Sequence, residues 1–291
     1  MLDTPAPRDL AAWLSLFSGA EMPVLRQTAR RLDAARQHID RVNGRDIIDI
    51  VLQDPLLAIR VLAYIQSFGS KHLRSDVTNI ATAVMMLGVE PFFRKFENPA
   101  TIETMLSRKP QALLGVLQVI LRCQRASRYA HDWAFARHDM NVEEVALAAL
   151  LYDLAEVLMW CFAPEQAIAI RARLHTEKRL RSSVVQRELL GFPLSDLQLA
   201  LCRAWQLPEL LTALMEDSDN TQMARVQNVK LAVNLARHSV DGWTDAAIPD
   251  DFAAIEKLLN ISRETLLSRL HLPAELLPRL LRADDESGTP G

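Results

Sequence analysis

Glycine is scarce in this chain, nine residues in 291, and aromatic residues make up only 6%. That scarcity, against abundant Leu and Ala, weighs against a turn-rich β architecture and favours helix. Cysteine is scarce too. Cys123, Cys161 and Cys202 stand far apart with no C-x-x-C spacing, and three is an odd number, which excludes a closed disulfide framework. They are expected to be buried, reduced thiols that behave as small hydrophobes. No charge of one sign dominates: 33 basic against 36 acidic residues leaves a net charge of -3. Such a balance supplies no general attraction to nucleic acid or to an anionic membrane. Gly-rich phosphate loops and Ser/His nucleophile elbows are missing. No N-terminal signal is read either, because Met1–Arg8 is Pro-rich and Asp9 interrupts the apolar residues after it. The most apolar run, Leu147–Phe162, carries Asp153 and Glu156, so it reads as a core helix and not a membrane span. A soluble, cytoplasmic protein without cofactor is expected.

What is present is helix punctuation. Pro23 opens Val24–Gln37, Asn43 caps Arg45–Leu52, and Asp54-Pro55 leads into Leu56–Ser67. Asn79 precedes Ile80–Leu87, closed by Gly88, and Glu90–Phe96 comes after it. Pro110 starts a long helix, Gln111–Arg137, with Leu113, Leu114, Leu117, Ile120 and Leu121 at helical spacing. Asn141 is placed as the cap of one continuous helix, Val142–Cys161. Glu165–His175, Arg179–Leu190, Ser195–Trp205, Pro208–Glu216 and Thr221–Ser239 come next, then shorter helices near Phe252–Asn260, Ser262–Leu270 and Pro273–Leu280. Period-2 alternation is absent, so the expected fold is all-α. Trp13 with Phe17, Phe92 with Phe93, Trp160 and Trp205 are core candidates.

Within the apolar run Ala146–Ala163 the dipeptide Tyr152-Asp153 stands out. It sits where the HD phosphohydrolases carry a His-Asp pair as two metal ligands. Asp54-Pro55-Leu56 with Ile59-Arg60-Val61-Leu62, then Asn79–Gly88 (NIATAVMMLG), then Glu188-Leu189-Leu190-Gly191 followed by Trp205-Gln206-Leu207-Pro208, resemble in order and spacing the HDOD proteins of bacterial signalling. These are relatives of the HD phosphohydrolases in which the catalytic centre is degenerate. The resemblance covers roughly residues 20–240. It implies an N-terminal extension at 1–19, an HDOD domain at 20–240 with parts at 20–108 and 109–240, extra helices at 241–283, and a frayed tail at 284–291.

Carried over position by position, the first metal-ligating histidine falls on Arg122, the His-Asp pair on Tyr152-Asp153, and the group next in the motif on Glu156. The histidine after "LG" falls near Leu194, the His-His region near Asp217-Ser218, and the last aspartate near Asn234. Of the ligand positions, only Asp153 keeps its chemistry; a phenol with a pKa near ~10 is a poor ligand at neutral pH. No bound metal and no catalysis are therefore expected. A carboxylate in an apolar helix needs a partner. Arg122 is the expected one, with Arg125 or a hydroxyl or backbone donor as alternatives.

Two other features compete for attention. His131-Asp132 is a literal His-Asp pair, but it lies one helix too early and in polar company, so it reads as a solvated surface pair. The basic stretch containing Arg171, Arg173, Lys178, Arg179 and Arg181 could hold an anion, although Glu177 and Glu188 dilute it. The resemblance implies a regulatory module acting through contacts with signalling proteins, with a cyclic dinucleotide network as one setting. No receiver, GGDEF or EAL-type segment is read in the sequence, so a stand-alone output or adaptor module is expected. The alternatives are a nucleotide-sensing pseudo-enzyme or, if histidines converge on Asp153, an active metal-dependent phosphohydrolase. No membrane or nucleic acid partner is expected.

Overall fold

A computed structural model describes residues 7, 9–69, 77–177, 180–216, 224–270, 272 and 275–282. Short polar side chains start many of the helices by accepting the free N–H groups of a first turn. Asp9 does this for α1 (Leu10–Ser18). Then come α2 (Arg26–Gln37) and α3 (Gly44–Val51), where Asn43 and Asp46 form a reciprocal capping box. After α4 (Pro55–Gly69), Asn79 caps α5 (Ile80–Leu87). Gly88, at φ +79°, turns the chain directly into α6 (Val89–Lys95), in a backbone region that favours glycine. Thr101 caps α7 (Ile102–Met105). Among the described residues there is no strand. A single parallel bridge, in which the Val24 N–H donates to Ala100 and the Ile102 N–H donates to Val24, ties the entry of α2 to the entry of α7. That bridge holds Val24 extended, so α2 begins at Arg26 and not at Val24.

The second half is built on α8 (Pro110–Ala136), which starts with proline at its first position. Packed against it are α9 (Val142–Leu151), α10 (Leu154–Phe162), α11 (Pro164–Thr176) and, from further along the chain, α15 (Ala224–His238). Between them run α12 (Ser182–Leu190), α13 (Leu194–Ala204) and α14 (Glu209–Met215). Gly191 ends α12 in the left-handed conformation, φ +90°. The chain then adds α16 (Ile248–Leu259), α17 (Arg263–Arg269) and α18 (Leu277–Arg282). One contiguous core runs through these layers and includes Trp13, Phe17, Phe92, Phe93, Trp160 and Trp205. All three cysteines are buried and unpaired. Gly115 on α8 is a contact requirement: a Cβ there would lie 2.5 Å from the Trp160 ring.

Several boundaries differ from the sequence expectation. The helix expected as one piece over Val142–Cys161 is two, α9 and α10, interrupted at Tyr152-Asp153. Asn141 does not cap α9 with its side chain. Residue 181 is the extended residue before α12, so that helix starts at Ser182, after the expected Arg179. α16 starts earlier than expected, with Pro249 in its first turn, and α18 starts later than Pro273. The tail at 284–291, and 221–223 of the expected Thr221–Ser239 helix, lie outside the described residues. The apolar segment Val142–Phe162 is long and apolar enough to cross a membrane by composition, yet 72% of its most apolar 18-residue window is buried inside the protein.

Asp54 explains the Asp-Pro dipeptide. Its side chain is fully buried, and one oxygen accepts from the N–H groups of Leu56 and Leu57 at 3.0 and 3.3 Å. The other accepts from the Leu25 N–H at 2.7 Å, before α2. A cap for α4 thus also fastens the start of α2. Burial raises this carboxyl above the usual range, against the pull of hydrogen bonds from Leu25, Thr28, Leu57 and Leu56. Asp54→Ala would leave buried N–H groups unsatisfied, each at about 1–3 kcal/mol. We expect a loss of about 3 kcal/mol or more in urea unfolding, with Asp54→Asn retaining part of it because an amide oxygen can still accept.

Candidate functional site

The interruption between α9 and α10 organises the site. In a continuous helix the Ala155 N–H would donate to the Leu151 carbonyl, four residues back. Here the side-chain amide of Gln198, from α13, is inserted into that bond. Its oxygen accepts from the Ala155 N–H at 2.8 Å, and its nitrogen donates to the Leu151 carbonyl at 2.9 Å. Both freed backbone groups are satisfied in the core, so the kink carries no orphaned polar group there. Gln198 is itself buried. It occupies an apolar slot in the series Leu194, Leu197, Gln198, Leu201, Cys202. A lone amide on an apolar helix face was the signal that could have found it.

At the break, Asp153 has φ -98° and ψ 24° and makes no cap contact with α10. Its carboxylate meets α8 and α15 instead. Arg122 donates to Asp153 Oδ2 through Nε at 3.0 Å and Nη2 at 2.7 Å. The same Nη2 donates to Glu156 Oε2 at 2.6 Å. Arg237 donates to Asp153 Oδ1 at 3.0 Å. Two guanidiniums thus face two carboxylates. Side-chain exposure is 13% for Arg122 and 11% for Asp153, against 41% for Arg237. Burial alone would raise the Asp153 carboxyl, but the charges and hydrogen bonds of Arg122 and Arg237 outweigh it and hold it below its usual value of 3.8. Burial likewise opposes the charge on Arg122, and Glu156 and Asp153 overcome that, so the guanidinium stays firmly protonated. Cys123 lies alongside, its thiol held protonated by burial and then by the Asp153 charge.

Arg122, Asp153 and Glu156 are thus brought together. Tyr152 comes directly after the end of α9 and packs, half-buried, against the core. Asn234 sits on α15 one turn before Arg237, the group from that helix that reaches Asp153 and was not anticipated. Leu194 is a buried core residue, and Asp217-Ser218 lies outside the described residues. A divalent ion would need the same carboxylate oxygens together with imidazoles. Both Asp153 oxygens and Glu156 Oε2 accept from guanidinium N–H donors, one guanidinium bridges the two acids, and no imidazole joins them in the described contacts, so these residues do not fit a metal centre. Among the described residues no group of three or more His, Cys, Asp or Glu is placed to hold a metal. Asp132 of the literal His-Asp pair is half exposed, 3.6 Å from Arg269, and His131 is exposed. His238 bonds Asp251 at 2.6 Å.

The basic stretch has partners of its own. Arg171 donates to Gln118 and lies over the Trp160 ring, 4.8 Å from its centroid. Arg173 pairs with Glu177 and Glu188. Arg181 is exposed, and Lys178 and Arg179 lie outside the described residues.

Comparisons with known proteins place the fold in a family. The HDOD domain model matches residues 22–221, and the chain belongs to the HDOD family. Its fold is shared with the MmoQ response regulator from Methylococcus capsulatus str. Bath, at 17% identity over 88% of this chain and 100% of that one, TM-score 0.66. A virulence factor (cj0248) from Campylobacter jejuni subsp. jejuni is similar at 15% identity over 92% and 95%, TM-score 0.63. No curated protein matches the chain.

Removing one member of a buried, hydrogen-bonded ion pair costs about 3–5 kcal/mol, because the other charge is left uncompensated. Arg122→Ala should therefore lose stability on that scale in urea unfolding. Arg237→Ala should lose under about 1 kcal/mol, since Arg237 is largely solvent-screened and Asp153 keeps Arg122. The depressed Asp153 pKa contributes stability above the ordinary carboxylate value, lost as pH falls through the lower folded value. Asp153→Asn should flatten the acid limb of a stability-versus-pH curve below about pH 4. Gln198→Leu should cost about 2–4 kcal/mol, since two buried backbone groups lose their partners.

Proposed function

We propose that this protein is a non-catalytic regulatory module that works in the cytoplasm by contacting other signalling proteins. Membership of the HDOD family supports a regulatory role, and a fold shared with a protein named as a response regulator agrees with it. The observation that carries the non-catalytic part is the Arg122 guanidinium, which bridges Asp153 and Glu156. A fixed cation there competes directly with a divalent ion for the same oxygens, and metal-assisted hydrolysis needs those oxygens free to hold the ion that activates water. A second reading, a cleft that senses a nucleotide messenger without turnover, has the partly exposed Arg237 in its favour.

The test combines metal analysis and hydrolysis. After incubation with Mn²⁺, Fe²⁺ or Mg²⁺ and desalting, the chain should retain no stoichiometric metal. It should release no product from bis(p-nitrophenyl) phosphate or from cyclic di-GMP. Retained metal with turnover, lost in Asp153→Asn, would overturn the proposal. A thermal-shift screen against cyclic di-GMP and ppGpp separates the second reading, because a ligand that binds only the native state raises the Tm.

A further inference from the structure

Most of the circumference of α8 is covered, by α9 and α10 and by α11 and α15. One face is open. Leu114, Leu121 and Phe135 are each more than half exposed. With Arg125 and Arg128 they fall at steps of seven, four, three and seven, the spacing that keeps one side of a helix of 3.6 residues per turn. The face thus has aliphatic and aromatic ends and a basic middle, over roughly 30 Å at ~1.5 Å per residue. Its flanks reinforce the pattern. Arg171 reaches in from α11 to Gln118, between Leu114 and Leu121. Arg125 donates to Ser239 at the end of α15, and the next residue, Val240, is exposed. The acid on this face, Asp132, is 3.6 Å from Arg269, and nearby Glu156 is bonded by Arg122. The positive charge of Arg125, Arg128, Arg171 and Arg237 is therefore offset only in part.

We infer that this face of α8 is the docking surface for an amphipathic helix of a partner protein, with acidic residues in its middle and apolar residues toward both ends. The inference rests on the reading of the protein as a module working through protein contacts, and specifies the surface and the chemistry of the partner. Charge decides between occupants. A second copy laid antiparallel about the centre of the face would bring Arg125 against its own counterpart and set Arg128 opposite Leu121. That desolvates like charges without compensation, which is unfavourable. An acidic helix satisfies the same arginines and covers the same leucines, in the helix-in-groove mode of recognition.

A display library of helical 20-residue peptides with randomised surface positions, panned against the full chain, tests this directly. Enriched sequences should carry Glu or Asp in the middle and aliphatic residues toward the ends. By fluorescence anisotropy their affinity should fall at least tenfold for Arg128→Glu and at least tenfold for Leu114→Ser combined with Leu121→Ser. These side chains are exposed, and unchanged circular dichroism and Tm confirm that the variants fold. Neutral or basic consensus sequences, absence of enrichment, or binding indifferent to these substitutions would overturn the inference. So would a dimer in sedimentation velocity that the same substitutions dissociate. Metal-dependent turnover in the hydrolysis assay would instead count against the non-catalytic reading, so the two failures are distinguishable.

Discussion

The insertion of one amide into one helical hydrogen bond sets the geometry of the centre. Because Gln198 takes both the Ala155 donor and the Leu151 acceptor, the chain can break between α9 and α10 without exposing buried polar groups. The break frees Asp153 from the helical trajectory and brings its carboxylate to α8 and α15. Four elements then converge: α13 supplies the amide, α8 supplies Arg122, α10 supplies Glu156, and α15 supplies Arg237. Each interaction taken alone is ordinary. Their combination is a cluster of two guanidiniums and two carboxylates in which the charges offset one another.

The cations at this centre are organic, and that bears on its chemistry. A divalent ion would organise water and polarise a phosphoryl oxygen. A guanidinium donates hydrogen bonds in fixed directions and cannot activate water at neutral pH. The cluster instead fastens three helices together with charge-assisted bonds, on a scaffold whose core is otherwise apolar. A buried pair of this kind is a weak source of net stability, whereas loss of one partner is costly because the remaining charge is left uncompensated in a low dielectric.

Much of this was legible from residue types with a local mechanism. Asn43, Asp54 and Asn79 act as caps, and Gly88 and Gly191 adopt positive φ, because those effects are decided within a few residues. The meeting of Arg122 with Asp153 was readable in part: a buried acid requires a partner, and the family spacing put Arg122 ahead of Arg125 without excluding it. The break at Tyr152-Asp153 was not. It depends on Gln198, more than forty residues later, and helical periodicity carries no information about which side chain another helix inserts. Arg237 was missed for a related reason. Asn234 and Arg237 lie one turn apart on the same side of α15, and a sequence pattern identifies the side of a helix better than its axial position.

The cysteines carry a consequence of their own. Each thiol is buried in the helical layers, and burial pushes all three well above their ordinary acidity, to about 12 for Cys202. The thiolate is the reactive species, so alkylating reagents and mild oxidants at neutral pH find almost nothing to attack while the chain is folded. A cysteine engineered onto any exposed position would then be the sole labelling handle, and the natural three would report unfolding by becoming reactive.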